Sequence, residues 1–380
     1  MIKEIATEIS SYLQHQDYSL AVRRMLDMSL DLGDKNLMRE TIDWSHDFHK
    51  GTKENVKPGV PFFSKAESLL EKAVATAPLY SLKHEKLISA SGISKRYNTG
   101  HFSLKPVNLE IGSGNIIGVV GENGNGKTTL LRSLGGQLHL DAGNIQYHFI
   151  SSPSNYNVKS RIAFIPQRIP RWYGQLKDNL HFSAAIAGVR DEENNLMVDF
   201  MLERFNLSHF SHLNWNQISS GYRTRFEIAR ILLQKPDLLI LDEPLANLDI
   251  NAQQTILTDL KFLAKSAYHP MGVLLSSQQL HEVEKVADTV LFIRNGECLF
   301  QTNKQGQEVQ GISLELETSF DRETILNALG SEAVQVHFNG NYFTITSSSY
   351  SAQEVLQKLI QANISVSYFR DITYSTKRFF

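Results

Sequence analysis

The run Ile116-Ile117-Gly118-Val119-Val120 leads directly into Gly121-Glu122-Asn123-Gly124-Asn125-Gly126-Lys127-Thr128, and helix-forming residues follow from Thr129 to Leu134. No other stretch limits the fold so strongly. Five residues without a polar side chain predict a buried strand, and the pattern G-x-x-x-x-G-K-[ST] predicts a tight turn opening onto a helix. Glycines at 121, 124 and 126 let the backbone curl so that its N–H groups point inward at an anion. The helix N-terminus adds a partial positive charge at the same place. In such a turn Lys127 reaches the β- and γ-phosphates of a nucleoside triphosphate, and Thr128 offers its hydroxyl oxygen to Mg²⁺. Glu122, Asn123 and Asn125 within the turn and Thr129 after it complete the candidate nucleotide contacts. A strand, turn and helix in this order require a layered α/β core around them.

A second apolar run, Leu238-Leu239-Ile240-Leu241, delivers Asp242, Glu243 and Pro244 at its polar end. Asp242 suits a Mg²⁺ ligand, direct or through water. Glu243 is one residue further along and is expected on the opposite side of the strand, where it polarises an attacking water. The composition leaves room for this reading and closes others. Of 380 residues, 42% are hydrophobic and 21% charged, which excludes a wholly disordered chain. Lys and Arg number 38 against 40 Asp and Glu, for a net charge of −2, so no nucleic acid is expected as a partner. The single cysteine, Cys298, allows no intrachain disulfide and suits a reducing cytosol. The first ten residues lack the apolar core of a secretory signal, and no run of about 18 apolar residues is present to span a bilayer.

Three units are expected along the chain. Residues 1–82 read as a helical accessory domain. Helical spacing joins Ile2, Ile5, Ile9 and Leu13; a second helix runs from Asp17 to Leu32 with Gly33 closing it, a third covers Asn36 to Phe48, and a fourth Lys65 to Thr76. The stretch from Gly51 to Pro61 reads as a loop, and the whole as a small bundle or hairpin pair. Residues 85–305 alternate β-branched runs with amphipathic helices: strands over 85–109 and 144–166, mostly helix over 178–210, and a βαβ rhythm at 116–136 and 237–293. Residues 312–380 read in the order βαββαβ, a ferredoxin-like α+β accessory domain. Its strands fall at 312–317, 333–338, 342–346 and 364–369 and its helices at 321–329 and 351–362. The middle strands join across Asn339-Gly340-Asn341.

On the turn and the acidic strand end, residues 85–305 resemble the nucleotide-binding subunit of ATP-binding cassette (ABC) transporters. The resemblance implies a P-loop NTPase core with antiparallel β and helical subdomains. It assigns further stations in the family's order. Tyr97 is similar to the aromatic that stacks on adenine. Gln167 resembles the glutamine that touches Mg²⁺ and the attacking water and senses the transmembrane partner. The stretch from Leu245 to Asp249, with Asn247 inside it, resembles the aspartate loop that crosses a dimer interface. Two stations depart from the pattern. The family's Leu-Ser-Gly-Gly-Gln stands here as Ile218-Ser219-Ser220-Gly221-Tyr222, which keeps Ser219 and Gly221 to grip a γ-phosphate from a second copy. Gln278 stands where the family has a histidine, with His281 one turn further on as a surface residue. Glutamine donates an amide hydrogen bond at similar reach but carries no charge, so slower hydrolysis is expected.

The resemblance further implies an ATPase that uses Mg²⁺, closes as a dimer on two ATP molecules and energises separate membrane permease subunits. Lys127, Gln167, Glu243 and Gln278 are its catalytic candidates. The place it implies is cytoplasmic, peripheral at the inner face of the cell membrane. The ending from Ser375 to Phe380 joins a loose likeness to the tails of exporter-type cassettes. Two other readings remain open at the level of sequence: a soluble ABC ATPase outside transport, and an ATP-dependent regulatory module of low turnover.

Overall fold

The computed structural model describes residues 2–76, 85–97, 102–150, 155–246, 248–267, 269–303, 311–330 and 333–373. Asn247, Pro78 and the ending from Ser375 to Phe380 lie outside the described residues, as do the expected boundaries near 82 and 305.

The chain opens with α1 (Ile2–Gln14), α2 (Tyr18–Leu32), α3 (Lys35–Lys53) and α4 (Val60–Thr76). Gly33 closes α2 at φ 67°, a left-handed conformation that glycine adopts without strain. Asp34 then accepts the N–H groups of Asn36 and Leu37 and starts α3. Two expectations need correction here. The α3 helix runs past Phe48 and through Gly51 to Lys53, and α4 begins at Val60 rather than Lys65. Pro61 sits in the first turn of α4, where its missing N–H has no helical partner to lose. The proline that reads as a loop residue is thus a helix start.

The N-terminal helices do not form a core of their own. Ile9, Met25, Leu26, Trp44 and Leu69 are buried in one apolar cluster that continues into Phe200, Met201, Leu257 and Leu260 of the central unit. Charge reinforces the seam. Arg204 donates through Nη2 to Asp27 Oδ2 at 3.0 Å and through Nη1 to Asp259 Oδ1 at 2.7 Å. Arg23 pairs with the same Asp259. Arg204, Asp27 and Asp259 are all buried. The N-terminal helices therefore pack as a layer against the central unit.

The central unit holds two sheets. In the smaller, β1 (Lys86–Arg96) lies between β2 (Ser103–Gly112) and β4 (Ala142–Tyr147), all antiparallel. The larger contains β3 (Ile116–Val120), β5 (Ile162–Ile165), β6 (Leu238–Leu241), β7 (Gly272–Ser277), β8 (Thr289–Arg294) and β9 (Glu297–Asn303) in the order β5-β6-β7-β3-β8-β9. Strands β5, β6, β7, β3 and β8 are parallel; β9 is an antiparallel edge. Every residue of β3, β6 and β7 is buried, which is why β3 and β6 read as unbroken apolar runs and β7 as one up to Leu275. Around the sheets lie α5 (Lys127–Leu134), α6 (Asn155–Arg161), α7 (Leu176–Ile186), α8 (Asp191–Arg204), α9 (Ser220–Leu232), α10 (Ile250–Ala264) and α11 (Leu280–Glu284). The α6 helix corrects the expectation of strands throughout 144–166. Its sequence has no alternation, and Lys159 and Arg161 favour the C-terminal end of a helix. Gly118 in β3 admits α11 closely: a Cβ there would stand 1.8 Å from Val283 Cγ1.

The last unit comprises β10 (Ile312–Glu317), α12 (Arg322–Leu329), β11 (Gln335–Phe338), β12 (Phe343–Ser347), α13 (Ala352–Gln361) and β13 (Tyr368–Asp371). Its strands form one antiparallel sheet in the order β11-β12-β10-β13. Leu314, Leu316, Ile345, Ile325, Val355 and Leu359 make a core separate from the others. Ser351 and Glu354 form a reciprocal cap at the start of α13. The last strand lies later than the expected 364–369. Ile364 is buried beneath the helices instead of pairing, and β13 starts at Tyr368.

Candidate functional site

The turn between β3 and α5 is held in place by neighbours as well as by its own glycines. Gly126 has φ 104°, and a Cβ there would lie 2.6 Å from the Phe102 ring. Gly121 would push a Cβ to 2.3 Å from the Ile293 carbonyl oxygen. Asn125 fastens the turn to the β8–β9 hairpin: its carbonyl accepts Gly296 N–H at 3.0 Å, and its Oδ1 accepts Asn295 N–H at 2.9 Å. Glu122, Asn123 and Gly124 form the exposed rim.

Lys127, the first residue of α5, is buried with its ammonium turned back into the turn. Its Nζ donates to Gly121 O at 2.7 Å and Glu122 O at 3.2 Å, and stands 3.0 Å from Glu243 Oε1. The Thr128 hydroxyl donates to Asp242 Oδ2 at 2.7 Å. The turn and the acidic strand end, 114 residues apart at this bond, thus meet in space.

The two acids are not placed as strand alternation predicts. Glu243 has φ 49°, a left-handed conformation uncommon for a residue with a Cβ. That backbone breaks the alternation, and Glu243 faces the same cluster as Asp242 rather than the opposite side. Ser276, at the end of β7, supports both: its hydroxyl accepts Glu243 N–H at 2.8 Å and donates to Asp242 Oδ1 at 2.8 Å. Strain stored at Glu243 is offset by these fixed contacts. Gln167, which follows β5, donates from Nε2 to Glu243 Oε2 at 2.7 Å, and Gln278 donates to the same oxygen at 3.1 Å. Both carboxylate oxygens of Glu243 are therefore engaged, one by an ammonium and one by two amides.

Tyr97 lies beside the turn, with its hydroxyl 3.4 Å from Thr129 Oγ1 and its partly exposed ring 6.4 Å from that of Phe102. Ser219, Gly221 and Asp249 make a second group. Ser219 is the exposed N-cap of α9, and Asp249 caps α10 by accepting Ala252 N–H at 2.9 Å. The position a Cβ would take on Gly221 is 3.5 Å from Ala252 Cβ, so the first turns of the two helices touch. His281 is exposed on α11, as expected.

Sequence reasoning passed over Ser276, Phe102 and the Asn295-Gly296 hairpin. The hairpin dipeptide was readable as a turn, but its grip on Asn125 was not. Thr128 and Asp242 present two hard oxygens at hydrogen-bond distance, a set that suits Mg²⁺. Among the described residues no three of His, Cys, Asp and Glu are grouped to hold a metal alone.

Sheet order, glycine turn and paired acids define a nucleotide-binding cassette of the P-loop class. Residues 104–246 match the family model described as ABC transporter. The uncharacterized ABC transporter ATP-binding protein YdbJ of Bacillus subtilis is 27% identical over 296 residues, covering 77% of this chain and 93% of that protein. Among solved structures, cbiO1 from Clostridium perfringens, part of the ABC transporter complex cbiONQ, superposes with a TM-score of 0.53 at 24% identity, covering 58% of this chain and 89% of that one. The ATP-binding cassette MJ0796, solved as a post-hydrolysis dimer with ADP and Pi, gives a TM-score of 0.52 at 22% identity, covering 58% of this chain and all of that one. Residues 104–246 thus carry the ABC transporter domain, and the chain is similar to ATP-binding proteins of ABC transporters.

Proposed function

We propose that this chain binds and hydrolyses Mg-ATP to energise transport through separate membrane permease subunits. The observation that carries the reading is the meeting of Lys127, Thr128, Asp242 and Glu243 in one buried cluster beside the glycine turn. In this reading the turn's N–H groups and Lys127 bind the β- and γ-phosphates, and Tyr97 stacks on adenine. Thr128 and Asp242 would hold Mg²⁺, which neutralises phosphate charge when bound. Gln167 and Gln278 orient Glu243, and Glu243 polarises the water that attacks the γ-phosphorus in line, giving ADP and phosphate.

Lys127 has a double task. Its ammonium sits on Glu243, and a triphosphate competes for the same positive charge. Turning to phosphate frees one Glu243 oxygen for water, so binding and activation of the base are linked.

Ser219, Gly221 and Asp249 belong to a shared surface in this reading. They complete the site of a second copy when two chains close head to tail. The dimer named for the MJ0796 cassette supports this arrangement. Among the described residues no helix is long and apolar enough to cross a membrane. In this reading the permease subunits supply the spanning part of the transporter. We place it at the inner face of the membrane. We divide the chain into a helical unit at 1–82, the cassette at 85–305 and a ferredoxin-like unit at 312–380, for which the strand order β11-β12-β10-β13 is the support.

The test is nucleotide binding by Lys127→Ala. Wild type takes up a fluorescent ATP analogue in the presence of Mg²⁺, and the variant binds at least about tenfold more weakly. Equal binding by both proteins contradicts the reading.

A further inference from the structure

A cleft of about 730 Å³ opens between the N-terminal helices and the central unit, separate from the residues that surround Glu243. Its size is that of sites for small organic molecules, and such sites favour seams between units. Met38, Met197, Met201, Met271, Phe262 and Leu263 line it. Four of the chain's seven methionines thus share one cavity. Methionine is flexible and polarizable, and it adapts to apolar guests of varied shape.

The charges are arranged unevenly. Lys35 pairs with Glu193 at 2.8 Å and Arg161 pairs with Asp237, so these four cancel. Asp27 is committed to Arg204. Burial and Lys235 push His269 below its ordinary pKa, so its ring is neutral at pH 7. Lys235 and Glu85 balance each other in sign on the same lining. Asp31 remains. Its Oδ1 accepts the Ser266 hydroxyl at 2.5 Å and its Oδ2 accepts Ala267 N–H at 2.9 Å, both neutral donors. Arg24 is close enough to lower its pKa, but burial dominates and raises it to about 6. A carboxylate held in this way gains from an added cation.

We propose that this cleft is a binding site for an apolar cation, a molecule with a hydrocarbon body and an ammonium head, its body against the methionines and its head at Asp31. The occupant touches α2 and α3 on one wall and α8 and α10 on the other, so it strengthens the seam between the layers. The proposal is independent of the nucleotide reaction.

The experiment uses the full chain and N-phenyl-1-naphthylamine, a neutral dye that brightens in apolar surroundings. Dodecylamine and dodecanoate, below their micelle concentrations at pH 7, then compete for the dye. The expected result is displacement by the amine at about tenfold lower concentration than by the carboxylate. In Asp31→Asn the dye still binds and this preference disappears. In Met197→Trp, which fills the cleft, dye binding falls at least about tenfold. Equal displacement of the dye from wild type by the two competitors overturns the proposal, whether or not either variant folds. So does wild type that binds no dye, or an Asp31→Asn protein that keeps the preference.

Discussion

Ser276 holds the two acids in register with one hydroxyl, and its removal separates structure from chemistry. Ser276→Ala leaves Glu243 N–H and one Asp242 oxygen without their partner. We expect a stability loss of about 2 kcal/mol by urea denaturation, because buried polar groups are left unpaired. We also expect kcat to fall by about tenfold or more, since a displaced base loses its alignment. Gln278 sets a second expectation. Its amide already reaches Glu243 Oε2, but it cannot take up a proton. Gln278→His should raise steady-state turnover, and an unchanged or lower rate would count against a slowing role for the glutamine. The glycine turn and the acids were readable from residue type and order, and the two glutamines only through the family resemblance. The left-handed backbone at Glu243 was not, because alternation along a strand predicts the other face, and only the close grip of Ser276 makes the exception affordable.

At the scale of elements, α2 is the joint. Its Asp27 meets Arg204 of α8, which meets Asp259 of α10, all out of contact with solvent. Removing one partner from such a set strands a buried charge, so Asp27→Ala should cost about 3 to 5 kcal/mol in urea denaturation. Deleting residues 1–82 should leave a chain that aggregates, which detection of a soluble, folded remainder would disprove. Asp31, one turn along, gives a pH signature. Its folded pKa of about 6 lies above its ordinary value of 3.8, so between these values the folded state binds more protons than the unfolded one. Wild-type stability therefore loses this contribution as pH rises from about 4 to about 6. Asp31→Asn should gain on wild type over that window, measured as the difference in urea midpoints; a pH-independent difference would contradict the assignment. Helix existence here was legible in the spacing of Ile2, Ile5 and Ile9. The fusion of α1–α4 to the cassette was not, because partners 177 residues apart leave no local pattern.

For the whole molecule, the central claim is that a turn at one end of β3 and acids at the end of β6 make one site for Mg-ATP and its hydrolysis. The strand order β5-β6-β7-β3-β8-β9 brings them together with only β7 between, and β7 supplies Ser276 to the gap. That order was not legible in the sequence, since parallel strands are joined by crossovers that leave their neighbours open. The C-terminal sheet was legible because its βαββαβ order and the Asn339-Gly340-Asn341 turn are local signals. The most direct measurement is Mg-ATP turnover and Mg-ATP binding by purified wild type and Glu243→Gln side by side. The account predicts hydrolysis by wild type, a loss of at least about a hundredfold in the variant, and undiminished binding. Equal turnover by the two proteins, or a variant that loses ATP binding along with activity, would contradict it.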